Sequence, residues 1–343
     1  MNASTQESGS GKEPEIRCVE QEHCVTCGGR GELVLEGLKD RLFRVAGLWS
    51  LSRCLSPGCG TTWLNPRPIE ADLYLTYQSY YTHGGNTPPV KSGLFAKSAI
   101  RLSRIADSLI RRALGIDRAR RRINELYADR ASQGSLLEVG CGDGRRLSKW
   151  AEKGWDVLGQ DVDPSAVDSA IERGMKVKLG ELKALNLDAE RFDMVAGNHV
   201  IEHVSDPSDL FRECYRLLKP GGVLVLTNPN PESLGSKKWG ENWFFWDPPR
   251  HLNLFTPSGL QVLSERAGFE TERAFTSAAR AHSVAAGSLE IREVGGHVMG
   301  RQVHWWVYIR ALAFLYRAWL SPRSKTVSGE ETVLIARRPL VGG

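Results

Sequence analysis

The 343-residue chain predicts an α/β fold, a mostly parallel sheet with helices on both faces, and three observations predict it. From Ser135 onward, apolar strand-like runs alternate with glycine turns and helical patterns: Leu136–Val139, Arg145–Lys153, Asp156–Gln160, Pro164–Arg173, Met175–Leu179, Phe192–Gly197, Leu210–Leu218 and Val223–Thr227. Helix starts are marked by Asp163-Pro164, Asp206-Pro207 and Thr256-Pro257, each a capping side chain followed by proline at the first helical position. Glycine recurs at 140, 142 and 144, between the first strand and its helix. There it lets backbone approach a ligand and aims unpaired N–H groups at negative charge.

Hydrophobic residues make up 41% and charged residues 25%, the profile of a globular protein. The net charge of +5 does not by itself argue for nucleic acid, and the basic excess is concentrated between Lys91 and Arg130. The first 17 residues lack the apolar core of an export signal and read as a disordered leader, so a cytoplasmic, reducing location is expected. There, paired cysteines suggest metal before disulfide. No apolar run reaches the ~18–20 residues of a membrane span.

A cysteine-bearing module is expected over 18–67, with strands Glu32–Leu35 and Leu48–Leu51. A connecting region over 68–133 carries Tyr74, Tyr77, Tyr80 and Tyr81, then helices Leu94–Leu114 and Asp117–Ala131. The main domain runs over 134–343, with an insert at about 278–324. In the module, Cys24-x-x-Cys27 and Cys54-x4-Cys59, each followed by glycine, offer four thiolates for a structural zinc. Cys18 and His23 are understudies, and Cys141 and Cys214 read as packing.

The second strand ends at Asp161, where a carboxylate suits both hydroxyls of a ribose, and Asp163 reads as a helix cap. After the third strand, Glu181 suits an adenine edge, the alternative for both acids being ordinary loop carboxylates. A nicotinamide site would space its glycines G-x-G-x-x-G, which this loop does not.

Glu138-Val-Gly-Cys-Gly-Asp-Gly144, Asp161, Phe192–Ala196, Ile201-Glu-His-Val204 and Leu218-Lys-Pro-Gly-Gly-Val-Leu-Val225 resemble the class I S-adenosylmethionine-dependent methyltransferases, especially the ubiquinone-biosynthesis O-methyltransferases. The likeness covers about 134–275 and returns at Glu331–Pro339 as a final antiparallel strand. It implies a Rossmann-like seven-stranded sheet that binds S-adenosylmethionine. By resemblance, Glu138 and Gly140 lie at the methionine part, Asp161 at the ribose and Glu181 at the adenine, and Gly142 and Gly144 of the same loop also bind the cofactor. Asn198 lies near the sulfonium. The cysteine module resembles zinc ribbons found ahead of some bacterial methyltransferases.

Methyl transfer needs alignment of acceptor, methyl carbon and sulfur, and an oxygen acceptor must also lose its proton. His199, His203 and His251 are the candidate bases. Trp239–Leu254 reads as an acceptor-pocket wall or as core. His199-Val-Ile-Glu-His203 matches an inverted zinc-peptidase motif, rejected because it follows a strand tip and soon meets Asp206-Pro207. It also resembles the E-x-x-E-H metal site of some methyltransferases, with His for the first Glu. That would place a second divalent ion at His199, Glu202 and His203, with His251 as a further ligand.

His304–Leu320, aromatic and interrupted by Arg310 and Arg317, predicts a helix; burial in protein is favoured over a peripheral membrane contact or a dimer face. The leading reading is O-methylation of a small-molecule, glycan or lipid-linked acceptor. The alternatives are an RNA methyltransferase, disfavoured by the mild charge, and a non-catalytic scaffold. The acceptor, the atom methylated and the oligomeric state are not legible in the sequence.

Overall fold

Five strands come first: β1 (Cys18–Val19), β2 (Gly31–Leu38), β3 (Trp49–Cys54), β4 (Thr62–Leu64) and β5 (Arg67–Pro68). This is a computed structural model that describes residues 16–77, 107–296, 304–322 and 326–340. Tyr80, Tyr81, most of the expected leader and the expected Leu94–Leu114 helix up to residue 106 lie outside the described residues.

Helix α1 (Ile116–Asn124) precedes the main sheet. It is shorter than the sequence predicts, because Leu126 and Tyr127 take positive φ angles of 44° and 50°. Both side chains are buried, so packing overrides helical continuation there.

The alternating region gives β6 (Ser135–Val139), α2 (Arg145–Glu152), β7 (Asp156–Asp161), α3 (Pro164–Glu172), β8 (Val177–Leu179), β9 (Phe192–Asn198), α4 (Pro207–Leu217) and β10 (Leu218–Pro229). Then come α5 (Leu234–Trp239), β11 (Asn253–Leu254), α6 (Pro257–Arg266), β12 (Glu270–Ser277), α7 (Ala281–Val294), α8 (Trp305–Leu320) and β13 (Glu331–Arg337). Each expected cap forms: Asp163 accepts from Ser165 N–H, Asp206 from Ser208 and Asp209 N–H, and Thr256 from Gly259 N–H.

Seven strands form one sheet in the order β12-β13-β10-β9-β6-β7-β8. The strands from β10 to β8 run parallel, and β13 slots antiparallel between β10 and β12. Alternation along each strand splits its side chains between two cores. Leu137, Leu224 and Leu226 pack against α4 and α6, whereas Leu136, Val223 and Val225 pack against Ile123, Leu147 and Trp150. Each such buried side chain contributes about 1.5–3 kcal/mol.

A third core joins what the sequence divides. Leu38, Trp49, Leu51 and Leu64 of the cysteine module pack with Trp239, Trp243 and Trp246 and with apolar residues of α7 and α8. Strand β11 pairs antiparallel with β4, so the module's sheet is completed by the main domain as β11-β4-β3-β2. Arg250, 1% exposed, forms two hydrogen bonds of 2.8 Å to Asp40, and its Nε donates to Asp247.

Candidate active site

The glycine loop lies at the carboxyl end of β6. Gly140, Gly142 and Gly144 have φ of 64°, 56° and 73°, where side chains are strained. A Cβ on Gly140 would stand 2.4 Å from Val200, whereas one on Gly142 would point into open space. The loop therefore leaves room on one side for a ligand while packing against the β9 loop on the other. Gly142 N–H donates to Asp161 Oδ2 at 2.7 Å and Asp163 N–H to Oδ1 at 3.0 Å, which aligns the carboxylate at the tip of β7. Gln160, which the sequence reading passed over, ties the loop to the third strand. Its Oε1 accepts from Gly140 N–H and its Nε2 donates to Gly180 O. Glu181 is exposed just beyond β8. Glu138 is buried against Arg146, with one carboxylate oxygen lacking a hydrogen bond. Burial pushes its carboxyl up to about 7 against the pull of Arg146.

Beyond β9 the three histidines separate. His199, at φ 55°, donates from Nδ1 to Glu202 at 2.9 Å and from Nε2 to Glu331 at 2.8 Å. Burial alone would lower its pKa, but the two carboxylates overcome this and raise it to about 9. Both ring nitrogens of His199 are thus engaged by carboxylates. Arg280 Nε donates to Glu331 at 2.9 Å, and its Nη2 donates to Asn198 Oδ1 at 3.1 Å, so the residue expected near the sulfonium is held by a buried charge network. Glu331 and Arg280 escaped the sequence reading as site residues. Nothing local marks a glutamate at the start of the last strand as facing β9.

His203 and His251 pack edge to face, ring centroids 4.7 Å apart. His203 Nδ1 lies 3.1 Å from Arg250 O, with the Tyr77 hydroxyl 3.0 Å from the same nitrogen; His251 Nδ1–H donates to Phe245 O at 2.8 Å. A carbonyl only accepts, so His251 carries hydrogen on Nδ1, whereas His203 Nδ1 is shared between a carbonyl and a hydroxyl that can donate or accept. Burial, reinforced by His251, lowers the His203 pKa to about 4, which keeps it neutral. One nitrogen of each ring and a Glu202 oxygen lie within 4.8 Å of one another. Glu202 Oε2 is buried without a hydrogen bond, and its carboxyl is held below the ordinary range by His199 despite burial.

The aromatic segment divides as well. Trp239, Trp243 and Trp246 are core, but Phe245, half-buried, has its ring centroid 5.3 Å from that of His199.

Cys24, Cys27, Cys54 and Cys59 converge, with one sulfur of each within 4.8 Å of the others. Gly29 N–H points at Cys27 Sγ and Ser56 N–H at Cys54 Sγ, both at 3.4 Å. A Cβ on Gly29 would crowd Ser56 and both sulfurs, so the knuckle needs glycine there. Four sulfurs with N–H···S support fit a tetrahedral zinc. Cys18 is exposed and does not join the cluster.

The family described as a methyltransferase domain matches residues 110–274. The chain is 34% identical over 147 residues to a ubiquinone biosynthesis O-methyltransferase of Cereibacter sphaeroides, covering 39% of this chain and 60% of that protein. It is 30% identical over 186 residues to a probable S-adenosylmethionine-dependent methyltransferase of Mycolicibacterium smegmatis, covering 53% of this chain and 68% of that protein. A solved S-adenosylmethionine-dependent methyltransferase from Archaeoglobus fulgidus is similar at 22% identity and a TM-score of 0.44, over 66% of this chain and 94% of that one. The sheet order and the glycine loop define a Rossmann-like methyltransferase domain. The chain belongs to the class I S-adenosylmethionine-dependent methyltransferases. It spans 60% of the length of the ubiquinone-biosynthesis relatives.

Proposed function

We propose that the chain methylates an oxygen of a small-molecule, glycan or lipid-linked acceptor, with His203 as the base and His251 beside it. The observation that carries this reading is a pair of imidazoles packed edge to face, each with Nδ1 against a backbone carbonyl and with one ring nitrogen of each within 4.8 Å of a buried Glu202 oxygen. S-adenosylmethionine, when bound, supplies a methyl group already activated on a sulfonium. The chain's residues do the rest. The glycine loop and Asp161 orient the donor, and Asn198, held by Arg280 and Thr227, lies at the end of β9 between the loop and the histidines. His203, neutral at pH 7 but made a weak base by its burial, accepts the hydroxyl proton as the oxygen gains the methyl group and S-adenosylhomocysteine leaves, and ionised Glu202 offsets part of the charge that forms. Phe245 and the tryptophan core behind it exclude water from the cleft.

Glu202, His203 and His251 also fit a divalent cation, because ligating histidines characteristically donate their other N–H to a carbonyl. An ion held there would lower the pKa of an acceptor hydroxyl as a Lewis acid. His199 is not one of its ligands, because Glu331 occupies its second nitrogen.

The test is S-adenosylhomocysteine release across an acceptor panel of phenols, sugars and lipid-linked sugars, with wild type and His203→Ala, before and after EDTA. Loss of about 10²–10⁴-fold in kcat/KM in the variant, with donor affinity unchanged, is the expected result. Wild-type turnover by His203→Ala would remove the base assignment. Activity abolished by EDTA and restored by Mg²⁺ or Mn²⁺ would assign the cluster to a cation.

A further inference from the structure

Helix α8 has six aromatic residues, two arginines and no acidic residue in its 16 positions. Val307, Ala311, Phe314, Leu315 and Ala318 turn one face into the third core. The opposite face is not polar: Trp305, Ile309 and Leu320 are 64%, 46% and 65% exposed. Helical spacing places these three on one stripe, with Arg310 and Arg317, seven residues apart, together along its edge, Arg310 being paired with Glu293 at 3.1 Å. Residues 107–113 form a neighbouring helical stretch whose Leu109 and Ile110 are 61% and 47% exposed. The two elements are tied together, Tyr316 donating to Asp107 Oδ1 at 2.6 Å and Trp319 Nε1–H to Leu114 O at 3.2 Å. Exposed Arg112, Arg118 and Arg121 surround the second stretch.

We propose that this face docks on an anionic lipid surface. A helix with exposed Trp, Ile and Leu flanked by arginines has the composition of one that lies in the plane of a membrane interface. No described helix is long and apolar enough to cross a membrane, so the contact is peripheral. Charge decides among occupants. A second copy seated on the stripe would bring rows of arginine against each other, and a nucleic acid would pair the arginines but leave Trp305, Ile309 and Leu320 uncovered. Only a surface with an anionic outside and an apolar inside satisfies both. Helix α8 packs on α7, which begins beside Arg280, so the docked face lies one helix layer from the candidate active site. The proposal stands on this surface and does not rest on the methyl-transfer reading.

The test is co-sedimentation of the full chain with phosphatidylcholine vesicles and with phosphatidylcholine–phosphatidylglycerol vesicles, at low and high salt. Wild type is expected to favour the anionic vesicles and to release with salt. The double substitution Ile309→Glu/Leu320→Glu, at exposed positions that leave the melting curve unchanged, should weaken binding at least about tenfold. Arg317→Gln should weaken binding to anionic vesicles about fivefold. Equal binding by wild type and the double variant, or no binding to anionic vesicles, overturns the proposal. So does a dimer in light scattering that the double variant dissolves, or a nucleic acid that binds this face in place of vesicles.

Discussion

The glycine-loop end of the molecule and its histidine end (the proposed acceptor end) are built over different distances along the chain. At the glycine-loop end, Gly142 meets Asp161 across 19 positions and Gly140 meets Gln160 across 20. At the histidine end, Arg250 reaches Asp40 across 210 positions, His199 reaches Glu331 across 132, and Tyr77 reaches His203 across 126. The first region is one βαβ unit whose turn is the site. The second is a cluster to which a cysteine module, a strand-tip loop, an aromatic segment and the last strand each contribute. A site built within one local unit tolerates change elsewhere in the chain, whereas a cluster assembled from four distant segments depends on all of them.

The largest expected effect breaks the acceptor end alone. Arg250→Met leaves Asp40 and Asp247 buried without their cation, at a cost of about 3–5 kcal/mol in urea unfolding. Titration calorimetry on the folded fraction should still give wild-type S-adenosylmethionine affinity. Parallel loss of both would mean the two ends are one cooperative unit.

Next is the pH response of His199. Its folded pKa of about 9 lies above the ordinary 6.5, so its stabilisation is full below 6.5 and is lost as pH rises through 9. At about 1.4 kcal/mol per pKa unit this amounts to roughly 3 kcal/mol. Thermal melts across that window should show the decline, and His199→Gln should flatten it; an unchanged slope in the variant would assign the decline elsewhere.

The smallest effect sharpens the comparison from the other side. Asp161→Ala should weaken S-adenosylmethionine binding about 10–100-fold, as expected for a charge-assisted hydrogen bond. Fluorescence from Trp243 and Trp246, in the acceptor-side core, should not change. A shift in that emission would show that the glycine loop and the cleft communicate.

The same difference in distance decided what the sequence revealed. The alternating strands, three proline-marked helix starts and the glycine loop are local patterns, and the structure places them within a few residues of expectation. The cysteine pairs were legible because their spacing is short on each turn. The division of the histidines was not, because it depends on Glu331 and on the carbonyls of Phe245 and Arg250, partners no periodicity announces. The cysteine module's dependence on β11 was hidden for the same reason, since a two-residue strand has no pattern to read. Helix α1 ended early because burial of Leu126 and Tyr127 outweighed helical propensity.

The position of β13 between β10 and β12 bears on how the protein comes into being on the ribosome. Every element of the glycine loop and its carboxylate is synthesised well before Glu331 emerges. Until that residue arrives, His199 and Arg280 lack their shared counter-ion and Glu202 lacks a fixed neighbour. A nascent chain therefore completes the glycine loop and its carboxylate before the last strand arrives to fix His199 and Arg280.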